Sequence, residues 1–171
     1  EVGGNPLAPE ALYNIGAAAW RLGERTRAEG NYRESLRLCE RGGFKGLAAA
    51  NLHDLGRMAL ERGRLADAVV LLGRSLDLRE AMKDQAGIAE ALNSLAALKL
   101  AAGRPAEALE HSARAAEIAR TFEQAVDTIL DDTIALLGAE YGNVQLPIGD
   151  TLTIVAQRGL SGRFLQAFRQ V

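Results

Sequence analysis

Apolar residues in the first 120 positions recur at three- and four-residue steps, the spacing of one face of a helix. Leu12 and Ile15, Leu52 and Leu55, and Leu92 and Leu95 each open such a stripe. The stripes themselves repeat every forty residues. Gly16, Gly56 and Ala96 keep this interval, as do Gly23, Gly63 and Gly103; Ala28, Ala68 and Ala108; Ser35, Ser75 and Ala115; and Leu38, Leu78 and Ile118. The shared template is L-x2-[IL]-[GA]-x6-G-x4-A-x6-[SA]-x2-[LI]. Its apolar pair marks a first helix. Its glycine ends that helix, because glycine takes the left-handed cap conformation without steric cost. A second helix follows, with Pro105 suited to the first turn of the third one. The small residues fall where two helices must approach closely. Each copy reads as a helical hairpin that buries its apolar face only by stacking on its neighbours. The spacing predicts helices at about 8–22, 26–42, 46–62, 65–83, 86–102 and 105–120 or beyond.

The register does not continue into a fourth copy, where Asp132, Ala135, Leu136 and Asn143 stand at the template positions. From Pro105 to Leu137 there is no proline, glycine or turn cluster, which predicts a helix of about 50 Å stopped by Gly138. Within it Ala119, Phe122, Val126, Ile129, Thr133 and Leu136 form a heptad-like seam. The seam suits either a second chain or packing on the last hairpin and the following strands. Its short length and Thr133 at a core position favour packing. Glu123, Asp127, Asp131 and Asp132 read as the solvated side. The pattern then switches to alternation, with Val144, Leu146 and Ile148 on one run and Leu152, Ile154 and Ala156 on the next. Pro147 and Gly149-Asp150 mark a turn between two strands. Ser161 reads as the N-cap of a short helix carrying Phe164, Leu165 and Phe168. The expected fold is mostly α: a solenoid of three hairpins, a long helix, and a short α+β tail.

The array over about residues 8–120 resembles the tetratricopeptide repeat in its small-residue positions, its turn glycine and its Leu-x2-[Leu/Ile]-Gly opening. It departs in period, forty against the usual 34 or so, and in carrying Leu12, Leu52 and Leu92 where the family signature has an aromatic. The longer form is familiar from bacterial signalling and regulatory proteins. The stretch "LLGAEYGNVQLPIGDTLTIVAQRGLSGRFLQAFRQV", 136–171, resembles the beginning of a GAF domain. The order is an entry helix, G-A-x-x-G-N-x-Q-L on a first strand, L-x-I-V-A-Q-R-G on a second, then F-L-x-x-F on a helix. These resemblances divide the chain into a lead at 1–7, repeats at 8–45, 46–85 and 86–120, a connecting helix at 121–137 and a truncated GAF start at 138–171. With no initiator Met at Glu1, the chain reads as a piece of a longer protein.

The tetratricopeptide resemblance implies a concave groove lined by the first helix of each hairpin. Its positions fall on Tyr13, Trp20 and Arg21, on His53 and Arg57, and on Asn93. The polar members suit a peptide backbone or carboxylate, and Trp20 suits an anchored side chain. The alternatives are a solvated polar face and a Trp20 packed inside the first hairpin. The expected function is non-catalytic: a protein or peptide partner in this groove, coupled to a GAF sensor in signal transduction. The alternative is the input fragment of a signalling enzyme (histidine kinase, phosphatase or cyclase) whose GAF domain senses a small molecule. A homodimer through the connecting helix or the GAF region is a further expectation.

Composition narrows this. A net charge of −2 over 171 residues argues against a general polyanion binder, so no nucleic-acid partner is expected. No apolar run reaches membrane-spanning length. The lone Cys39 has no internal disulfide partner and reads as a small apolar helix residue, which suits a reduced, cytoplasmic setting. His53 and His111 sit apart with no second ligand at metal spacing. No P-loop, G-x-G-x-x-G or H-E-x-x-H occurs, and "GLSG" at 159–162 is not a nucleophile elbow. No catalytic residue, metal or cofactor is expected.

Overall fold

Six helices and one β-hairpin follow one another in the computed structural model, which describes residues 7–137, 140–148 and 151–159. They are α1 (Leu7–Arg21), α2 (Arg25–Gly42), α3 (Lys45–Glu61), α4 (Leu65–Ala81), α5 (Gln85–Ala101), α6 (Pro105–Leu137), β1 (Gly142–Ile148) and β2 (Thr151–Arg158). The expected stop at Gly138, the Gly149-Asp150 turn and the helix after Ser161 lie outside the described residues. The chain divides into two compact units, at Ala116 and Glu117, so the boundary falls inside α6.

In the first unit every turn is built alike. Gly23, Gly63 and Gly103 have φ of 80°, 71° and 72°, the left-handed cap that the repeat predicts. The next N–H in each case bonds the carbonyl five residues back: Glu24 to Ala19, Arg64 to Ala59 and Arg104 to Lys99, at 2.9, 2.9 and 2.8 Å. These are Schellman caps that satisfy the helix's last carbonyls. The turns between hairpins repeat the device, with Phe44 bonded to Cys39 and Asp84 to Arg79, both at 3.0 Å.

The small positions are points of contact. Ala28, Ala68, Ser35 and Ser75 are fully buried. Ser35 Oγ donates to the Pro9 carbonyl at 2.7 Å, and forty residues on Ser75 Oγ donates to that of Ala49 at 2.8 Å. Each hydroxyl ties a second helix to the first helix of its own hairpin, so the buried polar group is satisfied. A Cβ on Gly16 would meet the Tyr32 ring at 2.9 Å, and one on Gly56 would meet Leu72 at 2.7 Å. The third copy carries Ala96 in this place, with Ser112 where Tyr32 and Leu72 stand. The two cores follow the same register. Ala19, Ala28, Tyr32, Leu55 and Met58 form one, and Ala59, Ala68, Leu72, Leu95 and Leu98 the other. In both, residues of one hairpin pack with those of the next.

The first helices converge. The backbones of α1 and α3, and of α3 and α5, come close, whereas among the described residues those of α2 and α4 stay apart and only side chains meet. Long side chains bridge the wider side: Arg74 to Glu40 at 2.8 Å and, one copy later, Arg114 to Glu80 at 2.6 Å. Arg62 and Arg64 both reach Glu29. Unequal spacing of this kind curves the array toward the α1/α3/α5 side.

In the second unit β1 and β2 pair antiparallel, with a register shift between Val144 and Gln145. The bulge re-phases the simple alternation expected from the sequence. The α6 seam also differs from expectation. Ala119, Phe122, Ile129 and Thr133 are exposed, Phe122 at 54% and Ile129 at 61%. The helix meets the hairpin through another stripe, in which Leu130 is buried and Leu130 and Ile134 face Gly142. Arg158 lies 3.2 Å from Asp127 and 2.8 Å from Asp131. Asp127, Leu130, Asp131 and Ile134 are spaced three, one and three apart, so one helix face carries both the apolar and the ionic contacts. Two of the acidic residues read as solvated, Asp127 and Asp131, keep exposed side chains and also pair with a strand arginine.

The contact at Gly56 and the open space around other helical glycines lead to opposite outcomes for one change. Gly56→Ala costs about 1–3 kcal/mol through overpacking on Leu72. Gly30→Ala and Gly73→Ala, where a Cβ meets nothing within 4 Å, each stabilise by about 0.5–1 kcal/mol through helix propensity. Denaturant unfolding of the three variants checks the two signs.

Candidate functional site

The converging side of the array places like residues of successive copies next to one another. Tyr13 Oη on α1 donates to Asp54 Oδ2 on α3 at 3.0 Å. His53 Nε2 on α3 lies 2.8 Å from Ser94 Oγ on α5, in hydrogen bond. The two links are forty residues apart at both ends. Each joins one first helix to the next across a sequence separation of forty-one. Asn93, the third member of the row, is exposed and stands at its open end.

Charged groups extend the row. Asp54 lies 4.0 Å from Arg57 and 3.9 Å from His53 Nδ1, which is 3.7 Å from Glu90. Glu90 is held at 2.9 Å by Arg79. Arg79 is a buried α4 arginine that also reaches Asp84 at 3.7 Å and Ser75 Oγ at 3.3 Å. Burial raises the pKa of Asp54, against the Tyr13 hydrogen bond and the His53 and Arg57 charges. Burial lowers that of His53, against Glu90 and Asp54. It also raises Tyr13, with Asp54 adding to the effect, and pushes Tyr32 up to about 12. The row is therefore a set of desolvated polar groups that satisfy one another.

The six residues expected to line a groove divide into two sets. Arg21, Arg57 and Asn93 are exposed. Tyr13, Trp20 and His53 are engaged within the fold. Tyr13 packs on Tyr32 at 5.5 Å between ring centroids. Trp20 packs on the first core, and the Arg25 guanidinium covers its ring at 3.6 Å, which is the packing alternative for that residue. His53 is 3% exposed, so it holds α3 to α5 rather than facing solvent. Asp54, Ser94, Glu90 and Arg79 went unread in the sequence. The recurring Tyr13–Asp54 and His53–Ser94 spacing was the available signal for two of them.

The array carries two depressions, of which one borders the row at Tyr13. One, of about 580 Å³, lies at the starts of α1 and α3 and is lined by Pro9, Glu10, Tyr13, Asn14, Phe44 and Lys45 among others. The second, of about 390 Å³, lies over α2 and α4 between Glu29, Arg33, Leu36, Arg64, Asp67 and Leu71. Cys39 is buried, with its thiol pKa raised by desolvation. Among the described residues no three His, Cys, Asp or Glu side chains gather as a metal site. No described helix is long and apolar enough to cross a membrane.

Hairpins stacked in one register with a converging inner row define an α-solenoid. The sequence matches the tetratricopeptide repeat family at residues 7–81 and again at 88–121, and the segment 7–121 is a tetratricopeptide repeat array. Arrays of this family serve as scaffolds for protein–protein interaction. The fold is similar to the crystal structure of BtubC (BKLC) from P. vanneervenii, with a TM-score of 0.63 and 23% identity. That match covers 69% of this chain and 49% of the other, so the chain spans about half the length of that structure. No curated protein matches the sequence.

The buried His53 gives the array a pH dependence of definite sign. The unfolded chain takes up a proton on this side chain near 6.5, and the fold resists doing so. The unfolded state then binds more protons, and stability is lost as pH falls below about 6.5 toward the lower folded pKa. Asp54 acts oppositely and lower, in the carboxylate range. Its raised folded pKa makes the fold gain as pH falls there. Thermal unfolding between pH 7.5 and 5 should show a falling Tm for the native chain and a flatter profile for His53→Gln.

Proposed function

We propose that the array binds a protein or peptide partner across the face formed by α1, α3 and α5. The observation that carries this reading is the convergence of these helices, with Arg21, Arg57 and Asn93 exposed on them. Arg57 sits beside the Tyr13–Asp54 pair. Its guanidinium suits a carboxylate of the partner, and Asn93 suits a peptide group. Tyr13 borders the larger depression and contributes its ring. His53 supports the face by tying α3 to α5. Trp20 becomes available where Arg25 gives way to a partner side chain.

In the same reading the segment 138–171 is the start of a GAF domain, joined to repeats 8–120 through the connecting helix 121–137. Partner binding is coupled to that domain in a cytoplasmic signalling protein. The antiparallel pairing of β1 and β2 in the expected order supports this. The exposed Phe122 and Ile129 favour a homodimer through the connecting helix.

Peptides selected on the chain from a random library test the face. Arg57→Glu should weaken their binding by about tenfold or more, in the range of a hot-spot arginine. Asp67→Lys, at the second depression, should leave it within about twofold. Equal affinity for Arg57→Glu would place the peptide elsewhere and overturn the assignment.

A further inference from the structure

The forty-residue register separates what packing requires from what it does not, because the two junctions between hairpins hold equivalent positions. The first junction carries Trp20, Arg21, Tyr32, Asp54 and Arg57. Forty residues on, the second carries Leu60, Glu61, Leu72, Ser94 and Ala97. Leu72 fills the space beside Gly56 as the Tyr32 ring fills that beside Gly16. The second junction therefore packs with no arginine and no phenol in these places. The core needs a large apolar side chain at residue 32, but not its hydroxyl.

That hydroxyl is held in reserve. Tyr32 is 3% exposed, and among the described residues its Oη makes no hydrogen bond, whereas Tyr13 Oη is engaged by Asp54. Tyr32 lines a void of about 10 Å³ with Trp20, Asp54, Arg57 and Met58, room for about one oxygen atom. Burial and the Asp54 charge push its pKa up to about 12, against the charges of Arg57 and Arg21, so the group stays a proton donor. Both arginines are available. The Arg57 side chain is 48% exposed, and its acid contact, Asp54, lies at 4.0 Å, beyond hydrogen-bond reach. Arg21 is exposed, and its Nε donates to the Ala17 carbonyl at 3.4 Å. This folds the guanidinium back along α1 to the level of Ala17, the place that Arg57 holds in the next copy. Asp54 meets Tyr13 through Oδ2 and faces Arg57 with Oδ1. Two arginines against this one acid leave a net positive charge.

The donors come from three elements: guanidiniums from α1 and α3, a hydroxyl from α2. One guanidinium edge satisfies both oxygens of a carboxylate. A phosphoryl group has three acceptor oxygens and nearly two negative charges, which suits all three donors. We propose that Tyr32, Arg57 and Arg21 hold the phosphoryl group of a phosphorylated serine or threonine, carried by the peptide for which the α1/α3/α5 face is proposed above and resting on that reading. One phosphoryl oxygen seats against the Tyr32 hydroxyl. The side chain is a short one, because the void admits an oxygen and not a ring.

Peptide libraries with phosphoserine, serine or glutamate fixed at the central position, passed over the immobilised full chain, test this. The phosphoserine library should be retained about tenfold better than either of the others. A peptide recovered from it should shift the emission of Trp20, the one tryptophan of the chain and part of the void lining. Tyr32→Phe keeps the ring and should lower the phosphoserine preference several-fold. Arg21→Gln and Arg57→Gln should each abolish it. Helicity and Tm serve as folding controls. Serine peptides retained as well as phosphoserine peptides, and weakened by Arg57→Glu, would overturn the inference and leave the binding face standing. Failure to retain any library would overturn both. Glutamate equal to phosphoserine would make the site a carboxylate receptor, and a preference indifferent to Tyr32→Phe and Arg21→Gln would move the phosphoryl group elsewhere; either result overturns the inference.

Discussion

Everything in the array depends on how closely the two helices of a hairpin approach one another. That distance is set where Gly16 faces Tyr32 and Gly56 faces Leu72, with no room for one more carbon atom. The serine hydroxyls of α2 and α4 reach first-helix carbonyls only because the helices lie this close. The interface cores, which mix residues of adjacent hairpins, follow from the same geometry. The third copy carries Ala96 and Ser112 at the two positions. A small residue alone does not define the contact. The pair does.

The helices of the array were legible from their spacing, and their observed bounds fall within a residue or two of those expected. Repetition made them so, since each element was read three times. The left-handed turns were equally plain where glycine marks them. They were not plain at Lys83, which takes φ of 57° with no glycine to announce it. The candidate face was legible only in part. Sequence position puts Tyr13, His53 and Asn93 in one row, but not which of them turns inward. Burial is settled by the neighbouring helix, and the separation of forty-one that joins His53 to Ser94 is a property of the stacked helices rather than of either one alone.

The second half of α6 shows a different limit. Reading apolar residues as one face and acidic residues as another gives a plausible seam and a plausible solvated side. The structure uses a third face, in which Asp127 and Asp131 share a stripe with Leu130 and Ile134. The deciding partner is Arg158, nearly thirty residues away on β2. Whether an exposed charge on a helix also gains a partner depends on what the following strand presents, and local periodicity carries no information on that. The same helix leaves Phe122 and Ile129 uncovered, which the heptad spacing alone does not foretell.

The two sides of the array are joined by unlike materials. On the inner row the links are short hydrogen bonds between desolvated groups, which tolerate little change in length before they break. On the outer row they are ion pairs between exposed, flexible side chains such as Arg74 and Glu40, which re-form over a range of separations. An object built this way has an anisotropic elasticity. Opening the curvature loads the inner row at once, while closing it only lets arginine side chains extend. The solenoid is a spring with one stiff edge, and its resting curvature is fixed by Tyr13, Asp54, His53 and Ser94 rather than by the much larger number of charges on its outside.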